Sequence, residues 1–382
     1  MLVTVTSPGS PSVRKPAPAV IACHAVPAVA PAGGNGADRA DLPRVAVFSL
    51  GGTIASTSTP DERGAAGGVT PRLGAGQLVE AVPQLRDVAE LETVSFRQIP
   101  SGDLTLRDLV DLAAEITRRF DRGVSGVVVT QGTDTIEETS FALDLLVRGP
   151  RPVVVTGAMR NPTLPGSDGP ANLLAAVQVA VAPAHAGSGA IVVMNDEIHA
   201  ARFVRKTHTS SPAAFRSSTA GPWGWIVEGR PRFAFRLPAL GTRFSSVCSD
   251  RIPAVALLTS TLGDDARLIA QVGKLGYGGL VLEAFGGGHV PAHVVPALQD
   301  LGERVPVVLA SRTGGGETLQ KTYGSPGAER DLLGRGLIAA GFLDGLKARI
   351  LLSLALAAGA DIPAVREAFR QVNMSAVDGS CT

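Results

Sequence analysis

Cysteine is scarce in this chain, and the three present, Cys23, Cys248 and Cys381, are odd in number and far apart. They fit neither a disulfide framework nor a zinc site, so nothing in them demands an oxidising compartment. Net charge is nearly absent as well. Thirty-five Lys and Arg stand against 34 Asp and Glu, which gives no reason to expect nucleic acid or an anionic membrane as a partner. A small ligand is the better expectation. No charge-free apolar run is long enough to span a bilayer, and tyrosine is limited to Tyr277 and Tyr323. What the chain does have is core: hydrophobic residues make up 45% against 18% charged, which excludes a mainly disordered protein. At 382 residues it exceeds the usual ceiling for one core, so two domains of unequal size are expected.

Residues 1–42 are rich in Ala, Pro, Gly and Ser, and Pro8, Pro11, Pro16, Pro18, Pro27 and Pro31 rule out a long helix. A disordered extension is expected there. Arg14 and Lys15 precede the apolar residues 20–30, and Val20-Ile21-Ala22-Cys23 loosely resembles a lipoprotein cleavage site. Prolines break that stretch, so the reading is a cytoplasmic protein, with export as the alternative.

The rest is organised around residues 127–143, VVVTQGTDTIEETSFAL. A β-branched run, the pattern of a strand buried on both faces of a parallel sheet, gives way to an amphipathic helix beginning near Ile136. Thr130-Gln131-Gly132-Thr133-Asp134-Thr135 therefore lies at the carboxyl end of a strand, where open α/β sheets hold ligands. Thr135 and Glu138 have capping-box spacing, and Asp134 is a second candidate cap. Capping does not explain three threonines crowded beside a carboxylate. Hydroxyls there can attack, and the carboxylate can bind an amine.

Other strand exits have similar chemistry. A first strand at 45–50 runs into Gly51-Gly52-Thr53-Ile54-Ala55, where paired glycines let the backbone turn sharply and present Thr53. G-x-G-x-x-G is not met, which argues against a dinucleotide site. Residues 56–76 have the composition of a mobile loop able to close over a site. Ser101 or Asp103 is the expected N-cap of a helix at 106–120. A strand at 153–156 exits into a polar loop holding Arg160, Asn161, Ser167 and Asp168. A strand at 190–194 leads on to Lys206, while His199 and His208 lack metal-ligand spacing. Residues 229–251 read as an interdomain connection, and strands near 255–260, 279–284 and 305–310, alternating with helices, form a second, smaller α/β unit. The expected organisation is an extension (1–42), a larger domain with an open, mostly parallel sheet (43–228), a linker (229–251) and a smaller α/β domain (252–370).

Several motifs resemble, in order, those of the bacterial-type L-asparaginases and glutaminase-asparaginases. They are Gly51-Gly52-Thr53-Ile54-Ala55, Gln131-Gly132-Thr133-Asp134-Thr135 with Glu137-Glu138-Thr139, and Thr156-Gly157-Ala158-Met159-Arg160. Ser167-Asp168-Gly169-Pro170-Ala171-Asn172-Leu173, Lys206-Thr207 with Phe215 and Ser217, and Lys347-Ala348-Arg349 complete the set. The resemblance implies that Thr53 is the nucleophile of a first triad, and that Thr133, Asp134 and Lys206 form a second. It implies that Ser101 and Asp134 hold a substrate's α-carboxylate and α-amine. Glu329 falls where such proteins place a glutamate reaching a neighbouring subunit's site, so a homotetramer built from intimate dimers is implied. The substrate implied is L-asparagine, with L-glutamine as a lesser one, and no metal or organic cofactor is required. Two departures stand out: residues 56–76 contain no tyrosine to set beside Thr53, and Gly102 stands where a substrate-contacting glutamine is common.

The chemistry is consistent with that resemblance. Hydrolysing a carboxamide needs a nucleophile, a base and donors for the oxyanion. A lysine in a buried setting can be the base, an adjacent aspartate can orient it, and backbone amides around Gly132-Thr133 can face the oxyanion. Two other readings are a catalytically weak amino-acid-binding protein and an asparaginase-like subunit of a tRNA-dependent amidotransferase.

Overall fold

The computed structural model describes residues 42–60, 66–182, 189–244 and 246–374, so the expected extension lies outside the described residues. Valine-rich runs become the central strands of an eight-stranded sheet. Its order is Arg230–Phe233, Gly224–Val227, Glu197–Ala200, Ala190–Met194, Val153–Thr156, Gly126–Thr130, Arg44–Ser49, Glu90–Ser95. The last five of these are mutually parallel, and the first three join antiparallel. Every residue of Gly126–Thr130, Val153–Thr156 and Ala190–Met194 is buried, as strands covered by helices on both faces must be. Alternation along the strand divides the core: Val127 and Val129 pack into one apolar cluster and Val128 into another.

A smaller, wholly parallel sheet follows, in the order Val255–Thr259, Gly279–Ala284, Val307–Ser311, Ile338–Ala339. The protein is thus α/β, with a larger, mostly parallel sheet domain and a smaller C-terminal one. Helix Gly345–Ala357 packs on helix Ile136–Leu146, and one apolar cluster runs from Phe48 and Val129 through to Val281 and Val308. The two sheets therefore share a core.

Three expectations need correction. Arg230–Phe233 is a strand of the large sheet, so the connection to the smaller domain begins beyond Phe233 and not at 229. Pro231 misled the reading. An edge strand can hold a proline because one side of it has no ladder to complete. Residues 56–76 are not simply a loop: Ser56–Pro60 and Ala66–Pro71 pair antiparallel, with a register shift between Ser58 and Pro60. Residues 61–65, between them, lie outside the described residues. Finally, neither Ser101 nor Asp103 caps the helix Leu106–Asp121; Thr105 does, in a reciprocal pair with Asp108.

His199, on the strand Glu197–Ala200, is fully buried, with Nδ1 3.0 Å from Ser217 Oγ and Nε2 3.2 Å from Glu197. Burial, reinforced by Arg216, holds its imidazole down at about 4, from an ordinary 6.5. The unfolded chain takes up this proton near 6.5 and the folded chain only near 4, so stability is fully present above 6.5 and declines as pH falls through that window. The loss amounts to as much as about 3 kcal/mol. Thermal melts from pH 7 to 4 should show a falling Tm, with a flatter profile in His199→Gln. Parallel profiles for the two proteins would assign the acid sensitivity to other groups.

Candidate functional site

Two strand exits meet back to back. Gly51 and Gly52 have φ of 101° and 82°, in the left-handed region that favours glycine. A Cβ on Gly52 would lie 1.9 Å from the backbone nitrogen of Gly132, so the two loops touch main chain to main chain. Thr53 follows the first glycine and Thr133 the second, which sets the two threonines beside one contact. Ser101 closes the third side: it is buried, and a Cβ on Gly132 would fall 2.7 Å from its Oγ. Gly52→Ala should therefore pry the loops apart and lower turnover at least about a hundredfold, since small misplacements of reacting groups cost that much. Activity assays on folded variant check this; near-normal turnover would show that the contact does not set the site's geometry.

Only one of the three clustered threonines is available for chemistry. Thr130 Oγ1 donates to the Phe48 carbonyl at 3.3 Å, and Thr135 Oγ1 donates to the Ser101 carbonyl at 3.0 Å while accepting from Gln131. The expected Thr135 capping box does not form, because that hydroxyl has no cap hydrogen bond. Thr133 instead accepts from Lys206 Nζ at 2.9 Å, and Lys206 also donates to Asp134 Oδ1 at 2.6 Å. Thr133 is buried and Lys206 mostly so, whereas the Asp134 side chain is 76% exposed and keeps a face toward an open cleft lined also by Thr207, His208 and Thr209. The arrangement offers a hydroxyl, an amine to exchange its proton, and an accessible carboxylate for a cationic ligand group. Among the described residues the Thr53 hydroxyl has no side-chain hydrogen-bond partner, in keeping with the lack of a tyrosine in residues 56–76.

Other motif residues serve the frame. The Asp168 carboxylate accepts from the amides of Met159 and Arg160, and Asn172 bridges the Gly157 carbonyl, Asp168 and the amide of Asn195. These bonds hold the exits of the strands Val153–Thr156 and Ala190–Met194 together. Among the described residues no group of three or more His, Cys, Asp or Glu could hold a metal ion, and no helix is long and apolar enough to cross a membrane.

Glu329 is not part of the Thr133–Lys206 cluster within the chain. It starts the short helix Glu329–Gly334 of the smaller domain and is fully buried. Its carboxylate accepts from the amides of Thr322 and Tyr323 at 2.8 and 2.6 Å and contacts His289 at 3.1 Å. Burial pushes this carboxyl up, but the amides of Tyr323, Glu329 itself and Thr322, together with His289, outweigh it and hold it below its ordinary value. Sequence reasoning assigned no role to Glu137, Arg205, Asp344 and Lys347, which gather behind Lys206. The available signal was a basic pair, Lys347 and Arg349, at the start of a helix that is apolar for most of its length.

Comparison with known proteins converges on one group. The profile of the asparaginase N-terminal domain matches residues 44–238, and that of the glutaminase/asparaginase C-terminal domain matches residues 254–369. A Deinococcus radiodurans protein named probable L-asparaginase is 39% identical over 336 residues, covering 87% of this chain and 98% of its own. L-asparaginase 2 of Bacillus subtilis (strain 168) is 35% identical over 332 residues, covering 84% of each. Among solved structures, a probable cytoplasmic L-asparaginase from Campylobacter jejuni superposes with a TM-score of 0.76 at 32% identity, over 86% of this chain and 99% of that one.

Proposed function

We infer, for a chain that belongs to the glutaminase/asparaginase family, that it is an amidohydrolase converting L-asparagine to L-aspartate and ammonia. The observation that carries this reading is the bond of Lys206 to both Thr133 and Asp134, at the loop contact that also presents Thr53. In the mechanism we favour, Thr53 Oγ attacks the side-chain amide carbon, its proton passes to the departing nitrogen, and ammonia leaves an ester on Thr53. Water then attacks that ester, its proton passing by way of Thr133 and Lys206 to the Thr53 oxygen as the acyl C–O bond breaks, and aspartate is released. Asp134 pairs with the substrate's α-ammonium, and Ser101 donates to its α-carboxylate. Backbone amides at Gly132 and Thr133 face the developing oxyanion.

A second order of events has its own support. It has Thr133 attack first with Thr53 assisting, and it rests on the Lys206 amine lying at hydrogen-bond distance from Thr133; the favoured order uses that same amine for the water of the second half. L-glutamine, one methylene longer, is a lesser substrate in either case. We further propose a homotetramer built from intimate dimers and a cytoplasmic location. For Glu329 to serve a neighbour's site, the segment carrying Thr322 and Tyr323 must move, since its amides already hold the Glu329 carboxylate inside its own chain.

Ammonia release from L-asparagine by the purified protein tests the activity directly. Binding of L-asparagine without ammonia would instead favour an amino-acid-binding protein. Release seen only with an added tRNA-linked partner would favour an amidotransferase subunit.

A further inference from the structure

Lys206 sits on the two-residue strand Arg205–Lys206, held to its neighbour Phe215–Arg216 by a short ladder. So short a strand cannot fix an amine to within a few tenths of an ångström. Behind it, the helix Gly345–Ala357 of the smaller domain supplies what the ladder lacks. Lys347 is fully buried, and its Nζ donates to the Val204 carbonyl at 2.7 Å, two residues before Lys206. The same ammonium donates to Asp344 Oδ2 at 2.9 Å and lies 3.7 Å from Glu137 Oε2. Asp344 also caps the helix, accepting from the Lys347 amide at 3.0 Å, and stands 3.6 Å from Arg205 Nε. Glu137, three residues after Asp134, stands 3.8 Å from Arg205, and its carboxylate faces the backbone amide of Lys206.

Lys347 thus holds the main chain just before Lys206, at the centre of four charged side chains drawn from three elements. An ammonium in a protein interior carries a desolvation cost that an apolar residue of the same volume would not. Keeping one at Lys347 makes sense where it supplies a directional bond that no apolar side chain can.

We propose that Lys347, with Glu137 and Asp344, is a positioning residue for Lys206, so that the smaller domain sets the geometry of the amine on the larger one. This rests on the reading of Lys206 as the group that exchanges protons with Thr133. Removing Lys347 frees the Val204 carbonyl from its anchor and lets the Lys206 amine drift from the Thr133 hydroxyl it meets at 2.9 Å, so the loss should fall on kcat.

The test compares kcat, KM and Tm for Lys347→Met, Lys347→Arg, Glu137→Gln and Lys206→Met in the full chain. Lys347→Met should lower kcat by about tenfold to a hundredfold with KM little changed. Lys347→Arg, which keeps a charged donor for the Val204 carbonyl, should recover part of kcat. Should Lys347→Met fail to fold, Glu137→Gln and Lys347→Arg still decide, because both keep the volume and each should lower kcat in a folded protein. Wild-type kcat with only a lowered Tm would overturn the positioning role. A Lys206→Met enzyme with full activity would instead remove the reading on which it rests.

Discussion

Replacing Thr53 or Thr133 by alanine is expected to lower kcat by about a thousandfold or more, equivalent to about 4 kcal/mol of transition-state stabilisation. Each change deletes a hydroxyl and one methyl group, too little volume to unfold a chain whose two sheets share a core. In Thr133→Ala, Lys206 keeps its partner Asp134 at 2.6 Å, so the amine is not left unpaired. In Thr53→Ala no hydrogen bond among the described side chains is lost, and stability should change by about 1 kcal/mol or less. Loss of activity without loss of fold is thus the signature of both variants. It is read from steady-state kinetics beside a thermal melt, and near-wild-type turnover in either would take that threonine out of the mechanism.

Lys206→Met should be as severe, and the loss should persist across the accessible pH range. A base that is deleted, and not merely shifted, cannot be restored by solvent hydroxide at moderate pH. Methionine retains much of the aliphatic stem, so packing against the loop survives while Asp134 and Thr133 lose their shared donor. Full recovery at high pH would show that Lys206 acts only as a charge and that another group handles the proton.

How far the site could be read in the sequence depends on how local its determinants are. The strands Gly126–Thr130 and Val153–Thr156 announced themselves because burial on both faces demands uninterrupted apolar runs. Thr53, Thr133 and Lys206 were legible as motif residues, yet nothing local says that Gly52 abuts Gly132; that contact joins residues 80 positions apart. The threonines of one turn divided their roles by partners that no spacing rule supplies, with Thr130 turned to Phe48 and Thr135 to Ser101. Pro231 suggests a linker where an edge strand stands, because proline is excluded only where its nitrogen must donate to a neighbouring strand, and one side of an edge strand has none. Lys347 was hardest to place. Two of its partners, Val204 and Glu137, come from the other domain, so only the basic pair it forms with Arg349 in a mostly apolar helix marked it.

Acid-quenching the enzyme during turnover of L-asparagine and mapping its peptides by mass spectrometry tests the central claim most directly. The account predicts one aspartyl group in ester linkage on the peptide that carries Thr53, absent from Thr53→Ala. An aspartyl ester on the Thr133 peptide, or rapid ammonia release with no acyl group on either threonine, would contradict it.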